Sequence, residues 1–153
     1  MGGNGVTYLV FSQESGCPPL ERLAAHATRF FSTTLELLEQ DEQSVLLRLV
    51  CARPALRGEF RIASRATTKD DLMNARDAEV RGQAAGMADL AARCKQVWTI
   101  DAADAAAPND EVYLTLAGIC ASVALGPVLP PDHSTLFGVR GAIDRRDKAL
   151  LKT

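Results

Sequence analysis

Hydrophobic and polar positions change period several times along this chain, and the changes mark its elements. Val6 to Ser12, VTYLVFS, is β-branched and aromatic with apolar residues on both alternating faces, which predicts an interior strand covered on both sides. Turn residues follow in QESGCPP. Pro18-Pro19 then opens a helical pattern in which Leu20, Leu23, Ala24, Ala27, Phe30, Phe31, Thr34 and Leu38 share one face, so this first helix is expected to run to about Gln40. Gln43 to Ala52 and Gly58 to Ala66 read as two strands joined by a loop of hairpin length, Arg53 to Arg57. In the second of them Phe60 and Ile62 point one way while Glu59, Arg61 and Arg65 point the other. A strand with one buried and one wet face belongs at or near a sheet edge.

The longest helical pattern spans Lys69 to Gln96, with Thr67-Thr68 at its start supplying an N-cap and Asp70-Asp71 in the first turn, where the helix dipole favours carboxylates. At 100° per residue Met73, Val80, Ala84, Met87, Ala91 and Cys94 form a narrow arc, the expected core stripe. The opposite side carries Ala75, Ala78, Gly82, Ala85 and Gly86, small residues where a solvated helix normally has Lys, Glu or Gln. That face is either an Ala-rich surface or a place of close backbone approach, and Ala78, Gly82, Ala85 and Gly86 are its candidate interface residues. Val97-Trp98-Thr99-Ile100 is a short β-branched run and the expected fourth strand.

The resulting order, β-α-β-β-α-β, predicts an α+β fold: a four-stranded antiparallel sheet of split βαβ, ferredoxin-like order, with two long helices on one face. Right-handed crossovers put the first and third strands side by side at the centre. Residues 101–153 form a C-terminal extension. Asn109-Asp110-Glu111 starts a helix there that ends at Gly126-Pro127, although alternation over Glu111 to Leu116 leaves a fifth strand open. Val128 to Phe137 is loop because of its prolines, and Gly138 to Leu151 is a terminal helix. A chain of 153 residues fits one domain, with residues 1–5 as a flexible lead-in.

Composition narrows the function classes without choosing one. Hydrophobic content of 47% with 24% charged residues is ordinary for a globular chain, and no run approaches the roughly 18 apolar residues of a membrane span. A net charge of −2 and few aromatic residues argue against nucleic acid as a partner. Cys17, Cys51, Cys94 and Cys120 are far apart and form no CxxC or Cys/His cluster, so no metal or cofactor is expected, and a reduced, cytoplasmic setting is. The Ala-rich composition and preference for Arg over Lys associate with a GC-rich bacterial genome.

Candidate chemistry is sparse. Asp132-His133-Ser134 places three triad residue types side by side, but adjacent residues cannot form the relay of a nucleophilic triad, so His133 and Asp132 are weak catalytic candidates and Asp132 reads better as a turn cap. His26 has no second ligand at helical spacing. Arg48, Arg61 and Arg65 share the outer surface of the sheet and are candidates for an anionic ligand, or a solvated face with Glu59 among its counter-charges. The absence of a catalytic constellation favours a non-enzymatic binding or assembly module acting through protein–protein contacts, as a homodimer or with another protein. Alternatives are a regulatory domain with an anionic ligand between the sheet and the C-terminal extension, or a small enzyme using His133.

Overall fold

The structure, a computed structural model, describes residues 6–103 and 108–151; the expected lead-in, residues 1–5, lies outside them. The elements run β1 (Thr7–Ser12), α1 (Leu20–Phe31), β2 (Thr33–Gln40), β3 (Ser44–Cys51), β4 (Leu56–Ala66), α2 (Lys69–Gly82), α3 (Met87–Ala92), β5 (Gln96–Ala102), α4 (Asp110–Ala124), β6 (Val128–Leu129) and α5 (Val139–Leu151). The six strands form one sheet in the order β2-β3-β4-β5-β1-β6, antiparallel at every pairing. The four-stranded ferredoxin-like arrangement is therefore wrong, although the α+β class holds. β5 separates β1 from β4, so the strands expected side by side at the centre do not touch.

Three local causes account for the difference. The first helix stops at Phe31, where Ser32 takes a left-handed conformation (φ 50°) and its N–H bonds back to the Ala27 carbonyl. The β-branched pair Thr33-Thr34 then starts an edge strand in register with β3, Leu35 facing Leu49. A bulge between Leu37 and Glu39 lets Thr34 and Leu38 match a helical spacing without being helical. The second cause is a break in the long helix: Gln83 (φ 53°) closes α2, and Gly86 (φ 88°) opens the short α3. The third is that helices cover both faces. α1, α4 and α5 pack on Val10, Val45, Leu47, Leu49, Phe60, Ile62 and Ile100, while α2 and α3 pack on Phe11, Val97 and Leu129 from the other side.

α2 also lies with the opposite face inward from the one its apolar stripe predicts. Ala75 and Ala78 are fully buried, whereas Met73 is 62% and Val80 73% exposed. Small side chains let the helix approach the sheet closely, and that close approach decides the orientation over the larger residues. Its start is fixed by a capping box: Thr68 Oγ1 accepts from the Asp71 N–H at 3.1 Å, and Asp71 Oδ2 accepts from the Thr68 N–H at 2.8 Å. Arg65 at the end of β4 grips the same carboxylate through two nitrogens, at 2.6 and 3.0 Å.

The segment with the open strand-or-helix choice is helix α4, and it is a central element of the core. All its residues except Asp110 and Ser122 are buried, under α1, α5 and the sheet. A helix that is apolar all round can only sit inside. Gly118 permits the crowding, since a Cβ there would lie 3.1 Å from the Phe31 ring and 3.3 Å from Ala142.

Candidate functional site

The N-terminal end of α4, the Pro130–Phe137 loop, α5 and Tyr8 of β1 enclose a cleft of about 560 Å³. The alternation of β1 sends Tyr8 to the α4 side of the sheet, where its ring stacks on Tyr113 with centroids 5.2 Å apart. Tyr113 in turn meets Phe60 edge-on. The Tyr8 ring is buried, but the residue lines the cleft, and its hydroxyl makes no hydrogen bond with the described residues.

Charges of both signs surround it. Asp110 and Glu111 come from the first turn of α4, whose Asn109 side chain makes no capping hydrogen bond. Asp132 comes from the loop, where its Oδ1 accepts the Ser134 N–H at 3.0 Å. Arg145 and Lys148, three residues apart on α5, share one helix face. The Arg145 guanidinium lies over the Phe137 ring, 4.8 Å from its centroid. Burial first, then the charges of Asp110 and Asp132, push the Tyr8 phenol well above its ordinary value. It stays protonated at any physiological pH, so it can donate a hydrogen bond but cannot act as a phenolate base. The Ser134 hydrogen bonds, assisted by the nearby Arg145 charge, hold the Asp132 carboxyl below the usual carboxylate range.

The residues singled out by sequence go to different places. Asp132 and Ser134 line the cleft but His133 does not: it occupies a left-handed turn (φ 54°), its N–H bonded to the Pro130 carbonyl and its own carbonyl accepting from Arg81, both at 3.0 Å. Arg48, Arg61 and Arg65 do share the sheet face opposite α4, but as separate internal contacts. Arg48 reaches Glu59 Oε2 at 2.9 Å and Glu36 at 3.3 Å, Arg61 donates to the Ser44 hydroxyl at 3.2 Å, and Arg65 holds Asp71. Of the small-residue set, Ala78 is buried against the sheet, and Gly82 abuts Thr135, so that an added Cβ would overlap the Thr135 side chain. Ala85 and Gly86 lie exposed in the turn before α3. The close approach their size suggested is, at Ala78 and Gly82, made by this chain's own sheet and loop.

The other candidate groups have structural roles. His26 Nδ1 lies 2.8 Å from Ser122 Oγ, but the Ser122 hydroxyl donates its one proton to the Ile119 carbonyl at 2.6 Å. The imidazole therefore donates to Ser122, the reverse of what activates a serine nucleophile. Among the described residues no group of three or more His, Cys, Asp or Glu could hold a metal ion. All four cysteines are free, and burial pushes the Cys94 thiol up to about 11, far from a reactive thiolate. Among the same residues no helix is long and apolar enough to cross a membrane.

No family model, curated protein or solved structure matches this chain.

The sequence concealed this site for specific reasons. Tyr8 sits in an apolar strand and passes for a core aromatic. Arg145 and Lys148 belong to the run Asp144-Arg145-Arg146-Asp147-Lys148, whose alternating signs imitate a solvated face. The one usable signal was their three-residue spacing, which puts two cations together.

Proposed function

We propose that the protein is a binding module whose ligand is a small polar molecule held in the cleft between α4, the Pro130–Phe137 loop and α5. One observation carries this reading: Tyr8 turns a hydroxyl with no partner among the described residues onto a cleft whose walls bring charged groups of both signs. A phenol hydroxyl that opens on a cleft and bonds to no protein group is available to donate to a bound molecule. The size falls within the range of small-molecule sites, and convergent polar groups on a partly apolar wall, here Leu114, Pro130 and Phe137, are their usual composition. The four free thiols support a reducing, cytoplasmic setting. The test is a fragment screen by amide NMR on the labelled protein. Hits should shift the backbone signals of Asp110, Leu114, Asp132, Ser134 and Arg145, and should weaken in Tyr8→Phe; hits that gather elsewhere, or that ignore the substitution, refute the proposal.

A second reading, self-association, is supported by the outward face of α2. Met73, Arg76, Asp77 and Val80 are all exposed, and their order is self-complementary. A two-fold axis between positions 76 and 77 would set Met73 against Val80 and Arg76 against Asp77 of a second copy. Light scattering at micromolar concentration decides it: a dimer lost in Met73→Ser supports this face, and a monomeric wild type removes it.

A further inference from the structure

The charges around the cleft define the ligand more narrowly than its volume does. Resting on the reading of the cleft as a ligand site, we propose that its occupant is a small zwitterion, with an ammonium and a carboxylate on one short frame, as in a free amino acid or a short peptide. A simple anion would find Arg145 and Lys148 but would also meet Asp110, Glu111 and Asp132. A simple cation would find those three carboxylates but would meet the two cations and the positive end of α4. A ligand carrying both signs satisfies both sets.

The groups on each side are held in place. Asp132 is tied to the Ser134 backbone, so its carboxylate is oriented before any ligand arrives. Arg145 rests over the Phe137 ring, which holds its guanidinium beside the cleft, where its nitrogens can meet a carboxylate. Tyr8 lies within electrostatic reach of Asp110, Asp132 and Arg145 alike, and as a permanent donor it suits the carboxylate of the ligand. Lys148 and Asp110 are exposed, make no ion pair with the described residues, and can turn toward the ligand's poles. Apolar contact with Leu114, Pro130 and Ala149 would take up a short carbon frame.

The experiment titrates the labelled full-length protein with a set of free amino acids and dipeptides, each beside its N-acetyl and its C-terminal amide derivative, and reads the cleft amides by NMR. At least one parent compound is expected to bind saturably, and blocking either end should weaken it by about tenfold or more. Lys148→Gln should weaken the parent and leave the amidated derivative, which has no carboxylate, unchanged. Asp110→Asn should weaken the parent and spare the N-acetyl form. An N-acetyl form that binds as tightly as its parent overturns the zwitterion while leaving the cleft a ligand site. The same holds if no zwitterion shifts a cleft amide while fragments of other chemistry do. If neither set shifts them, both proposals fail together.

Discussion

Replacing Asp71 with alanine removes three contributions at one carboxylate. The Thr68 N–H, at 2.8 Å, loses its acceptor, which for a helix cap costs about 1 kcal/mol. The negative charge at the start of α2 is lost, worth about 0.5 kcal/mol. The pair with Arg65 disappears too, but that side chain is 42% exposed and screened by water, so only about 0.5 kcal/mol is assigned to it despite its two hydrogen bonds. The whole is about 2 kcal/mol, which a urea slope of about 2 kcal/mol/M turns into a midpoint lowered by about 1 M with the slope unchanged. Asp71→Asn, which keeps an acceptor and loses the charge, should fall between. Burial alone would raise the Asp71 carboxyl, but the bonds from Arg65 and Thr68 outweigh it and hold it below its ordinary value. Its stabilisation is thus in full force above the unfolded carboxylate value of about 4 and is lost as pH falls through the lower folded value. The gap between wild type and Asp71→Ala should close over that acid range. A variant within about 0.5 kcal/mol of wild type at neutral pH, or a gap that persists in acid, would refute the reasoning.

Further substitutions test the packing. Ala78→Leu should cost about 1–3 kcal/mol by pushing α2 off the sheet, while Val80→Ser, on the exposed side, should stay within about 0.5 kcal/mol; paired chemical denaturation checks both, and the reverse order would restore the orientation implied by the apolar stripe. Gly82→Ala should also destabilise, because the new methyl meets both the side chain and the Cα of Thr135, and a thermal melt unchanged from wild type would contradict that contact. Gly118→Val should lower the melting temperature by several degrees through crowding of Phe31 and Ala142, with Phe31→Leu in the same chain recovering part of the loss.

Much of the fold was legible where a single period dominates. The faces of β3 and β4 follow from the alternation that sends Leu47 and Phe60 to one side and Arg48 and Arg61 to the other, and the start of α2 follows from Thr68 and Asp71. Sequence failed where two periods coincide, as at Thr33 to Gln40, whose leucines fit a helix face and a bulged strand equally. It failed again at α2, because hydrophobic periodicity scores size and misses the advantage of small residues when a helix must lie close to a sheet. The position of β5 between β1 and β4 is a matter of long-range pairing that no local pattern records. The cleft was illegible for the same reason: Tyr8, Asp110, Asp132 and Arg145 come from four separate segments, and only the folded chain brings them together.

The Tyr8 hydroxyl either stands open for a ligand or serves the fold. Unfolding free energies of wild type and Tyr8→Phe, measured without ligand, test this directly and need no knowledge of what binds. A hydroxyl that opens on the cleft and bonds to no protein group predicts a variant within about 0.5 kcal/mol of wild type. A loss of more than about 1 kcal/mol would mean that the hydroxyl already has a structural partner in the free protein, and the case for a ligand at this site would fall with it.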